Sequence, residues 1–280
     1  MNPQKITDYG IDPYMLHYTS MVLLDSPPGP GSLWRLGTHM LKTASGLDYT
    51  PSTISFLRLV LMMRGGGPED SKYRTHLRGS LDHLYRLVKA GEHPDALTVH
   101  ALLRLRAGNY TRALKDLDAA IEAADRAGDA YAPVPAKQDT RTGSTGNDAA
   151  SQQRTPKWAF ESDCHVERGR ILLRMGNHTA AAEAFRIAAF ELDSSQAYME
   201  LGKMLPANSQ LQRDCLLKSA VSGSDEACRL LSASETVKSR EEGLDKVMLE
   251  EHLRWAAEWD LLGHRPTGDE NVGEVPELAL

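Results

Sequence analysis

The chain has 280 residues, of which 41% are hydrophobic and 25% charged, a balance typical of soluble globular proteins. Its net charge of −6 argues against a function in binding polyanions over the whole surface. Three cysteines, with no C-x-x-C pair and no histidine at zinc spacing, predict free thiols in a reducing compartment.

The N-terminal ten residues contain neither the apolar core of a secretory signal nor an arginine. We therefore expect a cytoplasmic protein; the alternative is a mitochondrial one, if a presequence is missing from a truncated start. No transmembrane segment is predicted, because the most apolar run, 54–63, is short and contains Arg58.

Apolar residues follow helical spacing nearly everywhere, and no sustained alternation predicts a strand. Asp12 and Pro13 are typical of a helix start, so residues 1–31 are predicted to hold a short helix to about Leu24 and a linker, SPPGPGS. Helical repeats are predicted over 32–127, with helices at about 32–44, 51–63, 71–90, 94–107 and 110–126.

Residues 128–157 contain no Leu, Ile, Met, Phe or Trp, so they predict a disordered insertion. An interdomain linker is the alternative. Beyond it, C-terminal repeats are predicted over 158–235, with helices at about 158–175, 178–192, 195–205, 208–222 and 224–233.

A long helix over about 237–262 is predicted to cap the array, within a capping segment 236–263. Its expected apolar stripe consists of Leu244, Met248, Trp255, Trp259 and Leu262, with Val247 beside them. Residues 241–280 hold eleven acidic and three basic side chains, a net −8, so that 264–280 is predicted to be an acidic disordered tail.

One pattern occurs twice. GNYTRALKDLDAAIEAA begins at Gly108, and GNHTAAAEAFRIAAFEL begins at Gly176. Each places a large apolar residue between two small ones on one helix face: Ala113, Leu117 and Ala120 in the first copy, and Ala181, Phe185 and Ala188 in the second. A small residue, Ala101 or Gly169, stands seven positions before each glycine, which predicts close packing of two helices joined by a tight turn.

These features resemble tetratricopeptide repeats over 94–127 and 162–195. QAYMELGKML together with LLKSAVSGSDEACRLL, over 196–231, is similar to the related Sel-like repeat, and 32–41 and 81–97 look like weaker copies. The resemblance implies an all-α fold, a right-handed α-solenoid of stacked antiparallel helix pairs.

The resemblance also implies that the first helix of each pair lines a concave groove that binds a protein segment. The matching positions here are Thr98, Leu102, Leu105, Arg106, Val166, Arg170, Leu173 and Arg174. Such a strip suits a partner with acidic and apolar side chains. The alternative is that these arginines only solvate a helix face or pair with neighbouring acids.

No catalytic or cofactor motif occurs. RGGGPED, at 64–70, lacks the Lys-Ser/Thr of a phosphate loop, the histidine pairs His76/His83 and His93/His100 are seven apart, and Cys164-His165 lacks an orienting third group. We therefore expect no enzyme, no cofactor and no metal, but a scaffold or adaptor that binds protein through the groove or docks in a larger assembly.

Two other functions stay open. A helical-repeat RNA binder or organellar gene-expression factor would use the basic residues at 104, 106, 112, 168, 170 and 174, although aromatic residues are few and the chain is acidic. An enzyme built on a repeat platform is the second. The sequence does not indicate the oligomeric state.

Overall fold

The computed structural model describes residues 10–25, 31–63, 71–128, 153–240 and 244–264. Within these ranges the chain is all-helical, without a strand, as predicted. The helices are α1 Pro13–Asp25, α2 Gly31–Gly46, α3 Thr50–Met62, α4 Ser71–Ala90, α5 Pro94–Arg106, α6 Tyr110–Ala127, α7 Glu161–Arg174, α8 His178–Arg186, which a π-helical turn Ile187–Glu191 extends, α9 Ser195–Met204, α10 Gln210–Val221, α11 Asp225–Lys238 and α12 Lys246–Gly263.

Four sequence predictions lie wholly or mainly outside the described residues. They concern the proline- and glycine-rich linker at 26–30, the glycine-rich segment at 64–70, the predicted insertion over 129–152 and the acidic tail from 265 onward.

The chain divides into two compact units. Unit 1 comprises Met1–Pro133 with Lys157–Cys164, and unit 2 comprises Val134–Pro156 with His165–Leu280. The first residues of the predicted C-terminal repeats thus belong to unit 1. There Lys157 Nζ lies 2.7 Å from Asp125 Oδ1, and the Cys164 thiol is 3.6 Å from the Leu117 carbonyl.

Unit 1 contains helices α1 to α6 and an apolar core centred on Leu41, Phe56, Leu57 and Leu84, all at most 2% exposed. α1 packs closely on α2 at Gly37, where a Cβ would lie 3.1 Å from Leu24. Gly37 therefore lets the first two helices approach.

Unit 2 shows the predicted small–large–small packing. Phe185 is fully buried between Ala181 and Ala188 of the same helix face, and its ring lies against Gly169 of α7. Gly176, with φ of +78°, makes the turn between α7 and α8, and the Asn177 side chain accepts a hydrogen bond from Ala180 N. The repeated Gly-Asn is therefore a turn glycine followed by a helix N-cap position.

The predicted 237–262 helix was wrong at its start. α11 continues to Lys238, and α12 begins only at Lys246, because the Asp245 carboxylate caps it by accepting a hydrogen bond from Met248 N at 2.8 Å. Met248, expected in the apolar stripe, is 48% exposed, and Val247, expected beside the stripe, is 73% exposed. Trp259 and Leu262 do pack against the unit 2 core, as predicted.

Serines that the sequence analysis did not single out cap three further helices of unit 2. Ser194, Ser209 and Ser224 each accept a hydrogen bond from the backbone N–H three residues later. Their spacing of fifteen residues could have been read from the sequence as a repeated N-cap signal.

Candidate protein-binding site

The four groove residues predicted on α5 differ in their surroundings. Thr98 is fully buried, and its hydroxyl donates to the Pro94 carbonyl at 2.9 Å. It therefore lies in the core and not on a surface, because α5 is buried around most of its circumference. Leu102 and Leu105 are half-buried, and Arg106 is exposed.

Arg106 has a structural contact within unit 1. Its guanidinium donates to the Leu61 carbonyl at 2.9 Å and to the Met63 carbonyl at 3.3 Å. These carbonyls lie at the C-terminal end of α3, where a cation is favourable. Arg106 therefore connects α5 to the end of α3.

The four residues predicted on α7 belong to unit 2. Val166 is buried at 2% exposure, so it too belongs to the core rather than to a groove. Arg170 donates to Glu167 at 2.7 Å and to Glu200 of α9 at 2.9 Å. Burial by itself lowers the pKa of Arg170, but the two carboxylates outweigh it and raise the pKa. Leu173 is half-buried and Arg174 exposed.

Helices α5 and α7 are each the first helix of a predicted repeat pair, and each carries a similar short surface at its C-terminal end. In each, a half-buried leucine is followed by an exposed arginine two residues before the turn glycine: Leu105 and Arg106 before Gly108, and Leu173 and Arg174 before Gly176. We call each pair a Leu–Arg surface. Each of the two belongs to its own unit.

A buried polar cluster in unit 1 combines the residue types of a catalytic site. Thr53 Oγ1 lies 2.8 Å from His83 Nδ1, and Ser45 Oγ donates to Ser80 Oγ at 2.7 Å. All four residues are at most 6% exposed, and burial lowers the pKa of His83. The hydrogen bonds of this cluster join helices α2, α3 and α4. The cluster was not predicted from the sequence.

Asp95, at the start of α5, is a second polar residue that the sequence did not single out. Burial raises its pKa from 3.8 to about 6, although Phe160 N donates to the carboxylate at 3.0 Å and Arg58 is nearby. Arg58 itself pairs with Asp163 at 2.6 Å and stacks on the Phe160 ring, with its Cζ 4.2 Å from the centroid.

Replacing Asp95 with asparagine should stabilise the protein at pH 7. Because the folded pKa exceeds the unfolded one, the carboxylate's ionisation opposes folding increasingly as the pH rises from about 4 to 6. We expect D95N to gain about 1 to 3 kcal/mol at pH 7 and nothing near pH 4. Urea unfolding across this range measures the difference. The matched control is Asp82→Asn, at an exposed aspartate of α4, and an equal response of both variants would contradict the assignment.

Among the described residues, no group of histidine, cysteine, aspartate or glutamate side chains could hold a metal ion. No helix in these ranges is both long and apolar enough to cross a bilayer.

Comparison with solved structures identifies the architecture. The crystal structure of a Sel1 repeat protein from Oxalobacter formigenes matches over 90% of this chain and 89% of its own, with a TM-score of 0.51 and 12% sequence identity. The chain has a Sel1-type repeat fold. This confirms the predicted all-α, TPR-like solenoid of helix pairs. At this identity the Sel1 likeness concerns the fold alone. No protein-family model and no curated protein matches the sequence.

Proposed function

We propose that this protein is a non-enzymatic scaffold that binds a partner protein through its Leu–Arg surfaces. The observation that supports this is their recurrence. In both units an exposed arginine beside a half-buried leucine stands at the same position of a helix pair. An apolar contact beside a cation suits a partner segment with acidic and apolar side chains. The Sel1-type fold agrees with a scaffold, since stacked helix pairs expose repeated surfaces.

The contacts of Arg170 make it a poor position for a charge reversal. Reversing the charge of both Arg170 and Arg174 would place three carboxylates together, because Arg170 already pairs with Glu167 and Glu200. Arg174 is the better target, since it is exposed at the end of α7.

RNA binding has less support. Aromatic residues that could stack on bases make up 6% of the chain, and its net charge of −6 disfavours a polyanion. The buried free cysteines Cys164, Cys215 and Cys228 agree with a reducing compartment, and we place the protein in the cytoplasm as part of this proposal.

Replacing Arg174 with glutamate should reduce capture of the partner about tenfold without unfolding the protein. The measurement is quantitative mass spectrometry of proteins cross-linked to the tagged chain in its native lysate, with and without nuclease. The matched control is Arg240→Glu, the same change at an exposed arginine after α11.

Partners that are lost with R174E, retained with R240E and insensitive to nuclease would support the proposal. Equal recovery by both variants would overturn the assignment to Arg174. Loss of the bound partners after nuclease treatment would favour RNA instead.

A further inference from the structure

The outward side of α1 carries large apolar side chains where a solvent-facing helix normally carries polar ones. They recur at helical spacing and are between 42% and 61% exposed. We define the α1 face as Tyr14, Met15, Tyr18, Met21 and Val22, together with Ile11, which lies two residues before the helix begins. It spans about 17 Å at 1.5 Å per residue. The Tyr14 and Tyr18 rings contact each other, with centroids 5.3 Å apart.

The inward side of α1 fixes this orientation. Leu16 and Ser20 are buried, and Leu24 lies against Gly37 of α2. His17 Nδ1 lies 3.0 Å from Ser52 Oγ of α3. Since these contacts occupy one side of α1, the helix cannot rotate its apolar face inward without breaking them.

The only lysine, arginine, aspartate or glutamate side chains of α1 and of the residue before it are two carboxylates. α1 contains no lysine or arginine, Asp12 precedes it, and Asp25 is its last residue. The Asp12 carboxylate already accepts a hydrogen bond from Tyr14 N at 2.8 Å. Asp25, by contrast, stands at the negative end of the helix dipole, with no basic residue in the last turn. A cation placed there by a partner would be stabilising.

These charges discriminate among possible occupants. A helix that lies on an anionic membrane is normally rich in lysine and arginine, which α1 lacks. A second α1 would bring acidic ends together without a cation. The chain's own residues 265–280 hold four acidic side chains and one arginine, Arg265, so they do not complement it either.

We propose that the α1 face is a docking surface for an amphipathic helix of another protein, with an apolar stripe and with lysine or arginine at its ends. The length of the face corresponds to a stripe of about three turns, with apolar residues at positions i, i+3, i+4 and i+7. The methionines and tyrosines provide adaptable apolar contacts, and Asp25 selects a basic end. This surface is separate from the Leu–Arg surfaces and does not depend on them.

The test is selection of a displayed library of helical 16-residue peptides on the full-length protein. We expect enriched peptides to carry an apolar stripe with basic ends. Their affinity should fall at least about tenfold for the Met15→Asp/Tyr18→Asp variant and about threefold or more for Asp25→Lys. Val221→Asp, at an 82% exposed valine of α10, should bind like the unaltered protein. Circular dichroism verifies that each variant is folded.

Three results would overturn the proposal. The first is enrichment of peptides that bind the double variant equally well, or that lack basic ends. The second is a dimer of the full-length protein, seen by sedimentation, that the double variant dissolves. The third is α1-dependent cosedimentation with phosphatidylserine-containing vesicles. Arg174→Glu should leave peptide binding unchanged, so failure of this proposal is distinguishable from failure of the scaffold function.

Discussion

Replacing Glu235 with alanine should destabilise unit 2 by about 3 to 5 kcal/mol. This carboxylate is 1% exposed, yet it contacts three basic side chains. His252 Nδ1 lies 2.7 Å away, Arg213 3.0 Å and Lys238 3.7 Å. Removing the carboxylate leaves these groups partly buried without their acceptor, which is the most costly way to break such a cluster.

The Glu235 cluster joins three helices. Arg213 belongs to α10, Glu235 to α11 and His252 to α12. The Ser232 hydroxyl adds a second link between α11 and α12 by donating to the Ala256 carbonyl at 2.8 Å. We therefore expect the loss of Glu235 to loosen α12 first.

Urea unfolding measures the free energy, and hydrogen exchange of the α12 amides measures the local loosening. E235Q keeps one hydrogen-bond acceptor and should cost less than E235A. The control is Glu250→Ala, an exposed residue of α12, which should change stability by less than about 0.5 kcal/mol. If E235A and E250A lowered the free energy of unfolding equally, the buried cluster would not be what holds α12 in place.

The Gly169→Val variant should cost unit 2 about 3 kcal/mol. A Cβ at Gly169 would lie 2.5 Å from the Phe185 ring, closer than real Cβ contacts come, and Phe185 is fully buried and cannot move aside. Phe185→Ala alone should cost about 3 to 5 kcal/mol by leaving a cavity. In the double variant the valine occupies part of that cavity, so its cost should be at least about 1 kcal/mol less than the sum of the two single costs.

Chemical denaturation of the four proteins in this mutant cycle provides the measurement. Gly79→Val is the matched control, because a Cβ at Gly79 of α4 meets nothing within 4 Å. Its stability should stay within about 0.5 kcal/mol of the unaltered chain. If the double variant lost as much stability as the two single variants added together, the contact between Gly169 and Phe185 would not limit how closely α7 and α8 approach.

The local pattern was sufficient to predict most helices and the turn between paired ones. Asp12 caps α1 as expected, and Gly108 and Gly176 adopt positive φ at the predicted turns. The close approach of α7 to α8 at Gly169 was also predicted, from a small residue seven positions before the turn glycine; the structure adds that the Phe185 ring lies against Gly169. These features depend on residues close in sequence or on a periodic pattern.

The candidate site was less predictable, because exposure and pairing depend on residues distant in sequence. Thr98 and Val166 match groove positions by spacing, but neighbouring helices bury them. From the sequence alone, Arg170 is expected to be available to a partner. In the structure it pairs with Glu200, which lies thirty residues later in the chain. Whether the Leu–Arg surfaces bind a partner stays a prediction.

The amino-acid sequence by itself determined an all-helical chain with paired helices, since glycine turns, N-caps and apolar spacing act within a few residues. Only the tertiary structure decided which sides of those helices remain outside. It directed the apolar side of α1 away from the core and brought Arg213 and His252 to the buried Glu235. The physical reason is that burial and charge pairing are properties of packed neighbours, which helical periodicity alone does not specify.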